Sequence, residues 1–112
     1  MMPHAAREET TMVYLQATLK IYQGKMEKFC KVMAGVVPIL EERGWKLLAA
    51  YQNIIGRQNT IVDIWEIPDA NSVEKILGIA SQLTAFRELA SALEGVVEEE
   101  VLQVMTKASY SH

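Results

Sequence analysis

Between residues 5 and 111 the chain has no histidine; the two it carries are His4 and His112. No HxxE, HxH or CxxC spacing occurs, so the arrangements that hold zinc are missing. The interior offers no axial ligand of the histidine type to a haem and no Gly-rich loop to a phosphate. No metal and no cofactor is expected. The single cysteine, Cys30, rules out an intramolecular disulfide and suits a reducing compartment. Basic residues are not in excess: 11 Lys and Arg stand against 14 Asp and Glu, a net charge of −3. That balance gives no footprint for nucleic acid or an anionic membrane. No apolar run approaches the ~20 residues of a membrane span. The first residues lack the apolar stretch of a secretory signal. The expectation is a soluble, cytoplasmic protein with no nucleic acid and no membrane as partner.

What is present is an ordinary globular composition. Of 112 residues, 50% are hydrophobic and 22% charged, which fits one domain with a modest core. Residues 1–11 are polar and aperiodic and read as a flexible N-terminal tail. The domain spans residues 12–107, and residues 108–112 are a C-terminal tail. Residues 12–21 alternate. Val13, Leu15, Ala17, Leu19 and Ile21 face one way, and Met12, Tyr14, Gln16, Thr18 and Lys20 face the other. This is the two-residue period of a strand with one apolar face.

Gln23-Gly24 ends that strand, and a helix follows over residues 25–43. Met26, Phe29, Cys30, Met33, Val36, Val37 and Leu40 recur at three- and four-residue steps, one apolar stripe. Cys30 on that stripe reads as a small buried hydrophobe. Pro38 should kink the helix or split off its last turn, and Gly44 can cap it. Residues 45–55 and 60–67 read as strands joined by a Gly-containing turn at 56–59, a hairpin. Asp69 or Asn71 can cap the next helix. Residues 70–93 contain Gly78 and Ser81 and should form two helical segments, the first ending by Leu77 and the second starting at Ser81. Leu83, Phe86, Leu89, Ala90 and Leu93 make the second one's stripe. Residues 97–107 are a last strand, with Glu98, Glu99 and Glu100 as its solvated start.

The order is strand, helix, strand, strand, helix, strand. Two right-handed β-α-β units give an α+β, ferredoxin-like βαββαβ sandwich with both helices on one sheet face. The other face carries Met12 and Tyr14 on its first strand, too apolar for bulk water across a whole sheet. Packing against a second sheet, as a homodimer forming a dimeric α/β barrel, covers it.

Three stretches resemble a known family. They are Gly24-Lys25-Met26-Glu27-Lys28-Phe29 after a strand, Gly35-Val36-Val37-Pro38-Ile39-Leu40-Glu41-Glu42-Arg43-Gly44, and Ile61-Val62-Asp63-Ile64-Trp65-Glu66-Ile67. In order and spacing they resemble the NIPSNAP-like proteins of the dimeric α/β barrel superfamily, over roughly residues 12–106. The resemblance implies the fold and the dimer. The wider superfamily includes cofactor-free monooxygenases, isomerases, polyketide cyclases and haem-binding members, which is fold-level analogy. Such proteins often carry an arginine and a tyrosine on the first strand, where this chain has Ala17 and Leu19. A histidine often precedes their Leu-Trp-Glu segment, where this chain has Asp63.

Asp63, between Val62 and Ile64, is the candidate catalytic residue. A buried carboxylate needs a partner or a raised pKa. It can act as a general base or hold a substrate hydroxyl, or it can be a structural carboxylate at a dimer seam or sheet rim. Trp45 and Trp65 are candidate ligand-binding residues, because an indole offers area and one donor; packing is the commoner role. Tyr14 and Tyr51 are candidates too, since a phenol can donate to an oxyanion or form an amphipathic wall. Glu66 can pair with Lys46 or Arg57. Cys30 has no internal histidine beside it to activate it as a nucleophile.

Three functional readings stay open. One is a protein that binds a small aromatic or polyketide-like molecule in an apolar cavity of several hundred Å³ between sheet and helices. Another is a cofactor-free enzyme (cyclase, isomerase or monooxygenase) acting on such a molecule. The third is a non-catalytic dimeric interaction module.

Overall fold

The alternation of the first strand sets the architecture. In the computed structural model, which describes residues 12–111, the elements are β1 (Val13–Ile21), α1 (Met26–Glu41), β2 (Lys46–Gln52), β3 (Thr60–Ile67), α2 (Ser72–Ala80), α3 (Thr84–Ala92) and β4 (Val97–Met105). The expected N-terminal tail, His4 and His112 lie outside the described residues. β1 is central, and the four strands run in the order β2-β3-β1-β4 with every neighbouring pair antiparallel. That order is the α+β, ferredoxin-like sandwich, and it follows from two β-α-β units whose strands interleave.

Burial follows the two-residue period. Leu15, Ala17, Leu19 and Ile21 of β1 are buried, as are Ile61, Asp63, Trp65 and Ile67 of β3. The β1–β3 register sets Leu15 opposite Trp65, Ala17 opposite Asp63 and Leu19 opposite Ile61. Phe29, Val32, Val36 and Leu40 of α1 pack onto this face. The core falls into two clusters. One gathers Leu15, Trp45, Trp65 and Ile67 with Val36 and Leu40, and the other gathers Leu19, Ile21, Phe29, Ile61 and Val96. Asp63 belongs to neither. Among the described residues no helix is long and apolar enough to cross a membrane.

The structure departs from the sequence expectations in several places. Cys30 is exposed. The buried line of α1 runs through Phe29, Val32, Val36 and Leu40, and Cys30 sits about 100° further round the helix than Phe29. α1 continues through Pro38 to Glu41. The proline lies so near the C-terminus that the last turn is held by other donors: Glu42 N–H to the Pro38 carbonyl at 3.0 Å, and Arg43 Nη1 to the Ile39 carbonyl at 2.8 Å. β2 ends at Gln52 rather than at residue 55, and Ile54 and Ile55 are exposed. α2 runs through Gly78, and the break falls at residues 81–83, where Leu83 is extended. Ser81 Oγ donates to the Gly78 carbonyl at 2.7 Å. α3 has no fully buried residue; Phe86, Leu89 and Leu93 are half-buried and Ala90 is exposed. Asp69, not Asn71, caps α2: its Oδ1 accepts from Ser72 N–H at 2.9 Å.

Two glycines do structural work. A Cβ on Gly35 would stand 3.2 Å from the Leu89 side chain, so the residue's smallness sets how closely α1 approaches α3. Gly44 has φ +102°. Trp45 N–H bonds the Leu40 carbonyl at 3.3 Å and Gly44 N–H the Glu41 carbonyl at 3.2 Å. This is a Schellman pair, with Trp45 and Leu40 meeting in the same core cluster. The left-handed glycine therefore turns Trp45 inward. Gly44→Ala should lower stability by about 1 kcal/mol and red-shift tryptophan emission as Trp45 loosens, read by denaturant melts and fluorescence. An unchanged midpoint would contradict this role.

Candidate functional site

Asp63 projects from the middle of β3 toward the helices, and its cross-strand neighbours are small. The register sets Ala50 of β2 on one side and Ala17 of β1 on the other, with Leu102 of β4 beyond Ala17. The adjacent rows are bulkier: Leu47, Trp65, Leu15 and Val104 on one side, Gln52, Ile61, Leu19 and Glu100 on the other. Two alanines therefore leave a hollow around a carboxylate. The gap under the helices forms two cavities. One, of about 170 Å³, is lined among others by Ala17, Trp45, Asp63, Trp65, Phe86 and Glu100. The other, of about 220 Å³, is lined by Cys30, Ala34, Val37, Leu47, Ala50 and Asp63. Met33 and Asp63 border both, so the expected single cavity is divided.

Asp63 is only 4% exposed. Burial, and secondarily the negative charge of Glu100, push its pKa from the ordinary 3.8 up to about 6. Among the described residues no cation or hydrogen bond offsets these effects. Among the described residues the ion pairs are Lys20–Glu98 at 3.7 Å, Lys31–Glu27 at 4.0 Å and Arg57–Glu99 at 3.7 Å, and none involves Asp63. Burial also raises the pKa of Glu100. Glu100 is exposed, as expected with Glu98 and Glu99, but the sequence did not reveal that it lines the cavity. The signal was there: Glu100, Leu102 and Val104 share one face of a strand. Arg57, expected as a partner for Glu66, pairs instead with Glu99. Lys46 stands opposite Glu66 in register without an ion pair.

Trp45 and Trp65 meet edge to face, their rings 5.5 Å apart at 60°. Trp45 is 4% exposed, and its indole Nε1 is buried with no hydrogen-bond partner among the described residues. Of the five candidate residues, the structure thus brings Asp63, Trp45 and Trp65 together on one cavity. Tyr14 and Tyr51 are not brought to it. Their positions in register place them on the opposite sheet face, Tyr14 with Glu66 and Met105 and Tyr51 with Val62. Tyr14 lies under Lys107 Nζ, 5.8 Å from the ring centre, and Tyr51 is exposed. A larger hollow of about 470 Å³ between Lys20, Arg57 and Glu98 lies at the strand ends, where these charges are already paired. Among the described residues no group of three or more His, Cys, Asp or Glu is placed to hold a metal ion.

A family model described as NIPSNAP matches residues 14–112. The chain belongs to the NIPSNAP family. Solved NIPSNAP structures share its fold. A NIPSNAP family protein of unknown function from Agrobacterium tumefaciens is 18% identical, with TM-score 0.81 over 91% of this chain and 93% of that one. A second from the same organism is 16% identical, with TM-score 0.79 over 99% and 95%. An uncharacterized NIPSNAP-like domain protein from Burkholderia xenovorans is 15% identical, with TM-score 0.77 over 92% and 90%. At such identities the likeness shows the fold alone. No curated protein matches the chain.

The raised Asp63 pKa has a consequence for stability, and its sign is fixed. The folded state holds the proton more tightly than the unfolded chain. Stability is therefore fully present below the unfolded value of 3.8 and is lost as pH rises through about 6. The loss is on the order of 3 kcal/mol. Asp63→Asn should flatten the fall in melting temperature between pH 4 and 7, leaving the part due to Glu100, and should melt above wild type at pH 8. Parallel pH profiles for the two proteins would contradict the burial of an unpaired carboxylate.

Proposed function

We propose that this NIPSNAP protein binds a small, mainly apolar molecule between its sheet and helices, with Asp63 accepting a hydrogen bond from it. One observation carries the reading: Asp63 is buried, has no partner among the described residues, and is common to both cavities. Burying a charged group without a partner costs several kcal/mol, and a ligand that donates to it offsets that cost. The cavity of about 170 Å³ is close to the ~150 Å³ that holds one benzene ring, so the aromatic ligand expected from the sequence is a single ring. Thermal shift and tryptophan fluorescence with phenol, benzyl alcohol and small lactones test this, because binding the native state raises its melting temperature. Wild type should respond, and Ala17→Val, which fills the hollow beside Asp63, should not. A flat response from wild type would overturn the reading.

A second reading, a cofactor-free enzyme, is favoured by the Asp63 pKa of about 6. A base titrating near neutrality can take a proton from carbon at working pH, the first step of an isomerisation or cyclisation. Asp63→Asn should then abolish turnover while leaving neutral ligands bound.

We also propose that the chain works as a homodimer closed over the open sheet face. Tyr51, Val62, Thr18 and Val101 form one cross-strand row there, and Ala49, Ile64, Gln16 and Gln103 the next. The middle of the face thus carries no charge, and an apolar sheet surface of this kind packs against its own copy about a two-fold axis. The interaction-module reading rests on this face alone. A cytoplasmic setting suits Cys30, an exposed thiol without a disulfide partner. Sedimentation should give about twice the 12.6 kDa chain mass, and Tyr51→Arg, on an exposed side chain, should return the monomer without unfolding it. A wild-type monomer at micromolar concentration would contradict the dimer.

A further inference from the structure

The cavity beneath the helices has ionisable groups of one sign. Among the described residues its lining contains Asp63 on β3 and Glu100 on β4, and no Lys, Arg or His. On the other side of Asp63 the second cavity adds Cys30 of α1 as its one further ionisable residue. Lys20 and Arg57 pair with Glu98 and Glu99, and among the described residues no cation pairs with Asp63 or Glu100. Asp63 is almost fully buried, while Glu100 is exposed on one side, at the cavity's mouth. Trp45, Trp65 and Phe86 supply aromatic surface beside them.

We propose that the occupant is a small hydrophobic amine, held as its ammonium by Asp63 and Glu100 with its apolar body among Trp45, Trp65 and Phe86. This names the ligand class within the binding reading above and rests on it. Three physical arguments converge. An anionic ligand would add a third negative charge to a site without a cation. A neutral ligand leaves the buried carboxylate charge uncompensated, whereas an ammonium gives it a charge-assisted hydrogen bond, roughly twice as strong as a neutral one. Aromatic faces attract cations further when water is excluded. Arylalkylamines are the fitting class.

The chain's two tryptophans, Trp45 and Trp65, both line this cavity, so intrinsic fluorescence reads binding directly. The probes are benzylamine, benzyl alcohol and benzoate at pH 7.5. Benzylamine should bind about tenfold more tightly than benzyl alcohol, and benzoate should not bind. Asp63→Asn should erase the preference for the amine while benzyl alcohol still binds, and Glu100→Gln should reduce it. In wild type the preference should fade as pH drops through about 6, where Asp63 takes up its proton. Equal affinity for amine and alcohol, or a preference that survives Asp63→Asn, would overturn the amine and leave the cavity as a ligand site. No saturable change with any probe would overturn both.

Discussion

The pairing of β1 with β3 decides which side of the sheet every other group occupies. Because side chains alternate, a slip of β3 by one residue against β1 would move Asp63 to the open face. The register is pinned from the helix side by bulk: Leu15 against Trp65 and Leu19 against Ile61, each pair buried under α1. Between these two rows lies Ala17 against Asp63. The strongest packing in the sheet thus brackets its weakest point, and the large rows on either side hold open the gap that the small one leaves.

A carboxylate in that gap works against the fold. It is buried on the helix side of the sheet, its pKa is pushed up to about 6, and it shares a cavity with Trp45 and Trp65. A leucine at the same position would join Trp65 and Ile61 in a continuous core. Where local choices agree with the fold nearly everywhere and fail at one place, that place is a candidate for function or strain. Asp63 breaks the packing rule that its neighbours obey, and the small Ala17 and Ala50 opposite it leave the hollow around it. The same logic separates the two sheet faces. The helix side holds the buried carboxylate, while the middle of the open side, with Tyr51, Val62 and Ile64, carries no charge.

Much of this fold was legible in the sequence, because β1 alternates without exception and the order of elements leaves few topologies. The hairpin and both crossovers followed from Gly and Pro positions. Cys30 was misplaced because its stripe and the true one through Val32 differ by a fraction of a turn, and both are apolar. Gly78 was read as a helix end, but the neighbouring Ile76 and Ala80 bury well enough to carry the helix through it. Of the site, Asp63 and the two tryptophans stood out as a polar residue and large aromatics in strands. Which face they occupied was not readable, since it depends on pairing between distant strands. The alanines were invisible for the opposite reason: Ala17 fits an apolar face perfectly well, and only the register shows that it stands opposite the carboxylate. The place of Glu100 on the cavity was hidden by two acidic neighbours that form ion pairs.

The claim on which the rest stands is that Asp63 is an unpaired carboxylate in an apolar hollow. The direct test is an NMR titration of its side-chain carboxyl carbon in the ligand-free protein, assigned by comparison with Asp63→Asn. A midpoint near 6 is the expected result. A midpoint at or below the ordinary aspartate value of about 3.9 would mean that the group is solvated or paired, and would contradict the account.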